Sequence, residues 1–286
     1  MRHPRLTGGP RSTADVFAIS SAVTPETAHI YDHAPPPLVA VAHGSRDPRA
    51  AATVNALLDL VRARAAVGGL DVRAAFLDHC APSLPQVLGS VTDVINAAGC
   101  VVVPLLLTAA YHSKTDIPAQ IASARPRPDV RCADTLGPHP LLLAALERRL
   151  AEAGAAVVDR AATSVVLAAA GSSDHSANAT IAALAARWQR SGGWRAVVPA
   201  YASAAAPSPA RAVQALRAGG GPVVVATYLL APGYFADKIR REATEAGASV
   251  VSDALGAAPE VADVVLDRYA AAARAAARVV ARAQLS

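Results

Sequence analysis

The sequence predicts an α/β protein built as two similar lobes, and three observations predict it. From Leu38 onward, short β-branched runs alternate with longer Ala/Leu-rich helical patterns, the signature of a parallel sheet covered on both faces. That pattern occurs twice in the same order. With 286 residues, the chain can also supply two ordinary domains whose cores need no disulfides or structural metal.

Residues 1–36 carry Gly-Gly-Pro, Ser-Thr and Ala-Pro-Pro-Pro with little periodic apolar content, and read as a disordered leader closed by a stiff proline stretch. The run LVAVA from Leu38 is the first strand. Asp47 is placed to cap a helix over roughly 49–66, and Gly44 permits the close turn before it. VRAAFL gives the next strand, followed by a helix near 83–97, and CVVVPLLL the third. A helix from about 115 follows, with Ser113 as a cap candidate and Pro118 suited to its first turn.

The second half repeats this order. LVAVAHGSRDPRAAATVNALLDLVRAR lines up with SVVLAAAGSSDHSANATIAALAARWQR so that Gly44 answers Gly171, an offset of 127. VRAAFLDHCAPSLPQVL answers AVVPAYASAAAPSPARAV, CVVVPLLLTAAYHSKTDI answers PVVVATYLLAPGYFADKI, and DTLGPHPLLLAALERRL answers DALGAAPEVADVVLDRY. The lobes predicted are 37–155 and 160–272, followed by an Ala/Arg helical tail over 273–286.

Composition excludes several function classes. The longest apolar stretch, Ala97 to Tyr111, contains Pro104 and falls short of a membrane span of roughly 18 residues. The basic start lacks the apolar segment and cleavage site of a secretory signal, so a cytoplasmic location and no membrane partner are expected. A net charge of +5, spread without dense basic stripes or interleaved aromatics, argues against a nucleic-acid partner and suits an acidic small molecule. Cys80, Cys100 and Cys132 form no close pair, so neither a disulfide framework nor a metal knuckle is indicated, and they read as buried thiols. The sequence lacks a nucleophile elbow, a P-loop and a dinucleotide-binding glycine turn after any strand. A histidine phosphatase would need an arginine before its strand-end histidine, where this chain has Ala42.

Two histidines stand apart from the other six. His43 follows the first strand directly, and His112 follows the third through Thr-Ala-Ala-Tyr, so both sit at carboxyl ends of strands, where open α/β sheets bind ligands. A strand-end histidine is ordinarily a satisfied polar residue. Here the repeat argues otherwise, because the second lobe keeps the strand, glycine and serine but has Ala170 in place of His43 and Tyr234 in place of His112. A purely structural histidine would be needed in both lobes, so the first lobe is expected to carry the chemistry.

On HGSRDP at 43–48, FLDHCAPSLPQVL at 76–88, VVVPLLLTAAYHSKTDIP at 101–118 and LGPHP at 136–140, the chain resembles the sirohydrochlorin chelatases of the CbiX/SirB type, in the class II chelatase family. The resemblance covers about 235 of the 286 residues. It implies two chelatase-like lobes, each a mostly parallel four-stranded sheet flanked by helices, with the active site in the cleft between them. It further implies that Fe²⁺ or Co²⁺ is inserted into sirohydrochlorin with release of two protons. The metal is then a substrate, and no cofactor is permanently bound. His43 and His112 correspond to the metal-contacting histidines, and His43 also to the proton acceptor. Ser45, Arg46, Asp78, Leu107, Thr108, Ala109, Ala110 and Tyr111 correspond to parts that meet the macrocycle, although a glutamate is common where Asp78 stands.

The residue types suit that chemistry. Neutral imidazole is a borderline ligand for Fe²⁺ and Co²⁺, and its pKa of roughly 6.5 lets it accept a proton near neutrality. A thiolate site would retain the ion more firmly. Arg46, Arg49 and Lys114, adjacent in sequence to the two histidines, are candidates to pair with substrate carboxylates, and Tyr111 either stacks on the macrocycle or fills the core. Imidazole does not choose between iron and cobalt; the lack of a His-rich tract favours iron. A two-lobed tetrapyrrole or metal carrier is the competing reading. Fusing two lobes in one chain removes the need to dimerise, so a monomer is expected.

Overall fold

The computed structural model describes residues 35–94, 99–109, 112–125 and 129–283, and for 92–94, 112–113 and 276–283 the backbone alone. The expected leader therefore lies almost wholly outside the described residues.

The first half runs β1 (Leu38–Ala42), α1 (Pro48–Ala65), β2 (Val72–Phe76), α2 (Leu84–Val94), β3 (Cys100–Pro104), α3 (Ile117–Ser123), β4 (Val130–Cys132) and α4 (Pro140–Glu152). The second half runs β5 (Ser164–Ala169), α5 (His175–Gly192), β6 (Ala196–Tyr201), α6 (Pro209–Ala218), β7 (Val223–Tyr228), α7 (Tyr234–Glu245), β8 (Val250–Val251) and α8 (Pro259–Ala283). The strands form two four-stranded parallel sheets, ordered β2-β1-β3-β4 and β6-β5-β7-β8. Two α/β lobes with matching topology are thus present. Helix α8 runs on through residue 273 without a break, where the sequence suggests a separate tail.

Local chemistry explains the elements. All five residues of β1 are buried, as a central strand covered on both faces requires. In α1, Val54, Leu57, Leu58 and Val61 are buried, the i, i+3, i+4, i+7 stripe of a helix lying on a sheet. Asp47 caps it by accepting from the Arg49 N–H, and Pro48 opens its first turn. The repeat holds at this level of detail. Ser45 Oγ accepts from the Asp47 N–H at 3.0 Å, and Ser172 Oγ from the Asp174 N–H at 3.0 Å. The Asp78 N–H donates to His43 O and the Ser203 N–H to Ala170 O, both at 2.9 Å, so Ala170 does occupy the place of His43.

Beyond the third strand the two halves differ in length by one residue. β1 pairs Leu38 with Val101, and β5 pairs Val165 with Val224, whereas the first anchors of the following helices, Ile117 and Ile239, are both fully buried and pack on corresponding clusters. Ile117 lies 16 residues after Val101 and Ile239 lies 15 after Val224. The first lobe therefore carries one extra residue, in the stretch where its backbone winds a π-helical turn, His112–Asp116. A π-turn is how a helix absorbs a single insertion. Counted back from the isoleucines, Tyr234 stands for His112; counted from the strands, Phe235 does.

The core does not respect the boundary between the halves. Leu38, Ala40 and Ala42 of β1 share one apolar cluster with Val165, Leu167 and Ala169 of β5 and with the inner faces of α1, α4, α5 and α8. Val39, Val41 and Val102 join a separate outer cluster with α2 and α3, and Val166, Ala168 and Val225 its counterpart with α6 and α7. The last helices are exchanged: α4 packs on β7 of the second sheet, and α8 on β3 and β4 of the first. Their arginines act reciprocally. Arg149 Nε donates to Leu255 O at 2.9 Å, and Arg268 Nη2 to Leu136 O at 3.0 Å; each arginine follows the corresponding leucine of its own half by 13 residues.

The sequence suggests buried thiols for all three cysteines, but the structure buries Cys100 alone. Burial pushes the Cys100 thiol up to about 11. Cys80 is half-buried, and Cys132 is exposed on β4, an edge strand with one neighbour. Among the described residues, no helix is long and apolar enough to cross a membrane.

Candidate active site

In a sheet ordered 2-1-3-4 the connections from β1 and β3 leave toward opposite faces, so a crevice opens between their carboxyl ends. His43 stands directly after β1 and the Leu105–Ala109 segment directly after β3. A cavity of about 530 Å³ lies at this crevice. From the first lobe it is lined by residues 42–46, the face of α1 at Ala50, Ala51 and Val54, the end of β2 at Phe76, then His79, Leu105 and Leu106. Its other wall is the segment from Leu229 to Ala236, so the cavity lies between the lobes. That wall was not legible as functional, since it contains no titratable group except Tyr234. The signal present was a pair of aromatics after Pro-Gly: Tyr234 and Phe235 are exposed and meet edge to face with centroids 5.5 Å apart.

The loop bearing His43 is held by its neighbours. Gly44 has φ +90°, and a Cβ there would lie 1.8 Å from Asp78 O, so only glycine lets the β1 and β2 loops touch. Cys80 Sγ donates to Ser45 O at 3.2 Å from below. His43 is exposed to the cavity, Ser45 half-buried and Arg46 exposed, and all three line the wall.

The other expected residues are distributed differently. His112 opens the π-helical turn, and its side chain, like all of Ala110 and Tyr111, lies outside the described residues, as does the side chain of the cap candidate Ser113. Leu107 O accepts from the phenol of Tyr228, a residue of the second lobe, at 3.3 Å. Ala109 lines a separate cavity beside Asp134 and Arg268. Asp78 is not on the wall of the cavity beside His43; its neighbour His79, which sequence reasoning set among the ordinary histidines, is. Among the described residues, no three or more His, Cys, Asp and Glu side chains converge as a metal cage.

Two of the three cations considered for substrate carboxylates are already paired across the lobes. Arg49 meets Asp47 at 2.6 Å and Asp237, in the first turn of α7, at 2.7 Å. Lys114 meets Asp174, the cap of α5, at 2.9 Å. Each pair ties the start of a helix that follows a first strand, α1 or α5, to the stretch after the third strand of the other half. Arg46 is the cation that the structure leaves on the cavity wall.

The family model described as CbiX matches residues 37–153 and 164–272, once per lobe. The chain belongs to the CbiX family. Among solved structures, this CbiX-family chain is similar to SirB from Bacillus subtilis with Fe³⁺, at 26% identity and a TM-score of 0.72, covering 84% of this chain and 96% of that one. The sirohydrochlorin chelatase SirB from Bacillus subtilis subspecies spizizenii in complex with cobalt is similar at 23% identity and a TM-score of 0.66, over 84% and 96%. CbiX described as the terminal enzyme for biosynthesis of siroheme in denitrifying bacteria gives 21% identity and a TM-score of 0.58, over 82% and 99%. The last two likenesses are of fold. A search of curated protein sequences gave no match.

Proposed function

We propose that this CbiX-family protein is a sirohydrochlorin chelatase that inserts a divalent ion, Fe²⁺ or Co²⁺, into the macrocycle with release of two pyrrole protons, working as a cytoplasmic monomer with no resident cofactor. The observation that carries the reading is the asymmetry of the doubled fold: both halves match the family, while the imidazole at the crevice stands only in the first. Metal insertion needs a ligand weak enough to surrender the ion to four ring nitrogens and a base able to take protons near neutrality. Imidazole meets both needs. In this reading His43 and His112 deliver the ion, and His43 accepts a proton. Ser45 and Arg46 meet the substrate's polar rim, Arg46 offering a planar fork for a carboxylate, and the segment Leu107, Thr108, Ala109, Ala110, Tyr111 borders the ring. The apolar surface of Phe76, Leu105, Leu106, Leu229 and Leu230 suits a flat ring held by its faces.

The test follows the absorbance of sirohydrochlorin with Fe²⁺ or Co²⁺. Wild-type protein is expected to raise the insertion rate above the spontaneous one, and His43→Ala to return it to that level with an unchanged circular-dichroism spectrum. Binding of the macrocycle without acceleration would identify a carrier and defeat the proposal.

A further inference from the structure

Resting on the chelatase reading, we infer that His79 is a further metal-contacting imidazole of the cleft, with Asp78 behind it as a positioning residue. His79 lines the same cavity as His43, and the loops that present them are in direct contact: the Asp78 N–H donates to His43 O at 2.9 Å, and Gly44 has no room for a Cβ against Asp78 O. The Asp78 carboxylate is turned back on its own loop. Oδ1 accepts from the His79 N–H at 2.7 Å, and Oδ2 faces His79 Nε2 at 3.4 Å. From this loop the group offered to the cavity is therefore the imidazole. A carboxylate facing one ring nitrogen is the usual outer partner of a metal-bound histidine, since it fixes the ring's orientation and raises the basicity of the other nitrogen. Imidazole is a ligand type suited to Fe²⁺ and Co²⁺, and His43 and His79, presented by touching loops on one cavity wall, give an incoming ion a first station that it can leave.

The backbone at this point separates shape from chemistry. His79 has φ +60°, and Ala204, its counterpart in the second lobe, has φ +56° within the same pair of hydrogen bonds, Cys80 N to Asp78 O and Ala205 N to Ser203 O, each 2.7 Å. The left-handed turn belongs to the fold, since both lobes have it. The imidazole belongs to the first lobe alone, as does His43.

The experiment uses the full chain and Co²⁺ alone, without tetrapyrrole, read by visible absorption and calorimetry. His79→Ala is expected to fold, because alanine already occupies this turn in the second lobe. His79→Asn removes the imidazole with a residue type that tolerates left-handed backbone. Both are expected to weaken Co²⁺ binding at least roughly tenfold, the loss that removal of even an outer partner produces. In insertion assays the KM for the metal should rise while kcat is largely kept. Asp78→Asn should show the same split to a smaller degree. Wild-type Co²⁺ affinity in both His79 variants overturns the inference, as does full recovery by asparagine of an affinity lost in alanine. Unaccelerated insertion by wild type, with Co²⁺ affinity still dependent on His79, would remove the chelatase reading and leave this metal site standing. Accelerated insertion with affinity indifferent to His79 would do the reverse.

Discussion

Gly44 fixes the position of His43 through an atom that it lacks. With φ +90° and Asp78 O at 1.8 Å from where a Cβ would stand, Gly44→Ala incurs backbone strain of about 1–3 kcal/mol and also forces the β1 and β2 loops apart. Urea unfolding should show the stability loss, and the insertion assay a parallel fall in rate. Gly69→Ala is the control: its φ is +62° but its surroundings are open, so stability should drop while the rate is kept. A rate unaffected by Gly44→Ala would mean that the loop contact does not place the imidazole. At this scale the sequence was informative where a residue acts through its neighbours in the chain. Asp47 is legible as a cap, and Gly44 as a turn. The orientation of Asp78 was not, because its carboxylate chooses between cavity and turn through hydrogen bonds that spacing does not encode, and so His79 beside it reads as an ordinary histidine.

Ion pairs join the starts of α1 and α5 to the opposite halves. Ser176, and after it Lys114, hold the Asp174 carboxyl well below the usual carboxylate range. A depressed acid contributes stability that is fully present above its unfolded value of about 3.8 and is lost as pH falls through the folded one. Asp174→Asn keeps a good cap residue and removes the charge, so its acid-denaturation curve should be flatter below about pH 4 than the wild-type curve. Curves of equal slope would show that this pair contributes nothing to acid sensitivity. The first three strands of each half and the repeat were legible because β-branched runs and helical stripes are local patterns; the short fourth strands, Val130–Cys132 and Val250–Val251, and the order of strands within the sheets were not. The π-turn was not legible: CVVVPLLLTAAYHSKTDI and PVVVATYLLAPGYFADKI have equal length, and the extra residue shows only in strand register against the buried Ile117 and Ile239. The exchange of α4 and α8 was equally hidden, since an apolar stripe does not say which sheet it will cover.

For the whole molecule, the exchange makes two lobes into one cooperative body. Val261, Val264 and Val265 of α8 are fully buried in the cluster shared with β1 and α1. Each contributes roughly 1.5–3 kcal/mol by burial, against a total stability of about 5–15 kcal/mol for a typical protein. Deleting residues 259–286 should therefore abolish the cooperative unfolding of the first lobe as well as the second, while the full chain melts in one calorimetric transition. A truncated chain that kept a sharp transition would refute the shared core. The sequence-derived division at 155 and 160 marks where the repeat restarts, and the packing runs across it.

Proteins that bind ligands between domains commonly close on them like jaws, which requires an interface that parts at little cost. Here each jaw's hinge pin is embedded in the opposite jaw, so the gap's width is set when the chain folds. Opening the gap would uncover that shared apolar packing, a cost that domains joined only by a linker do not meet.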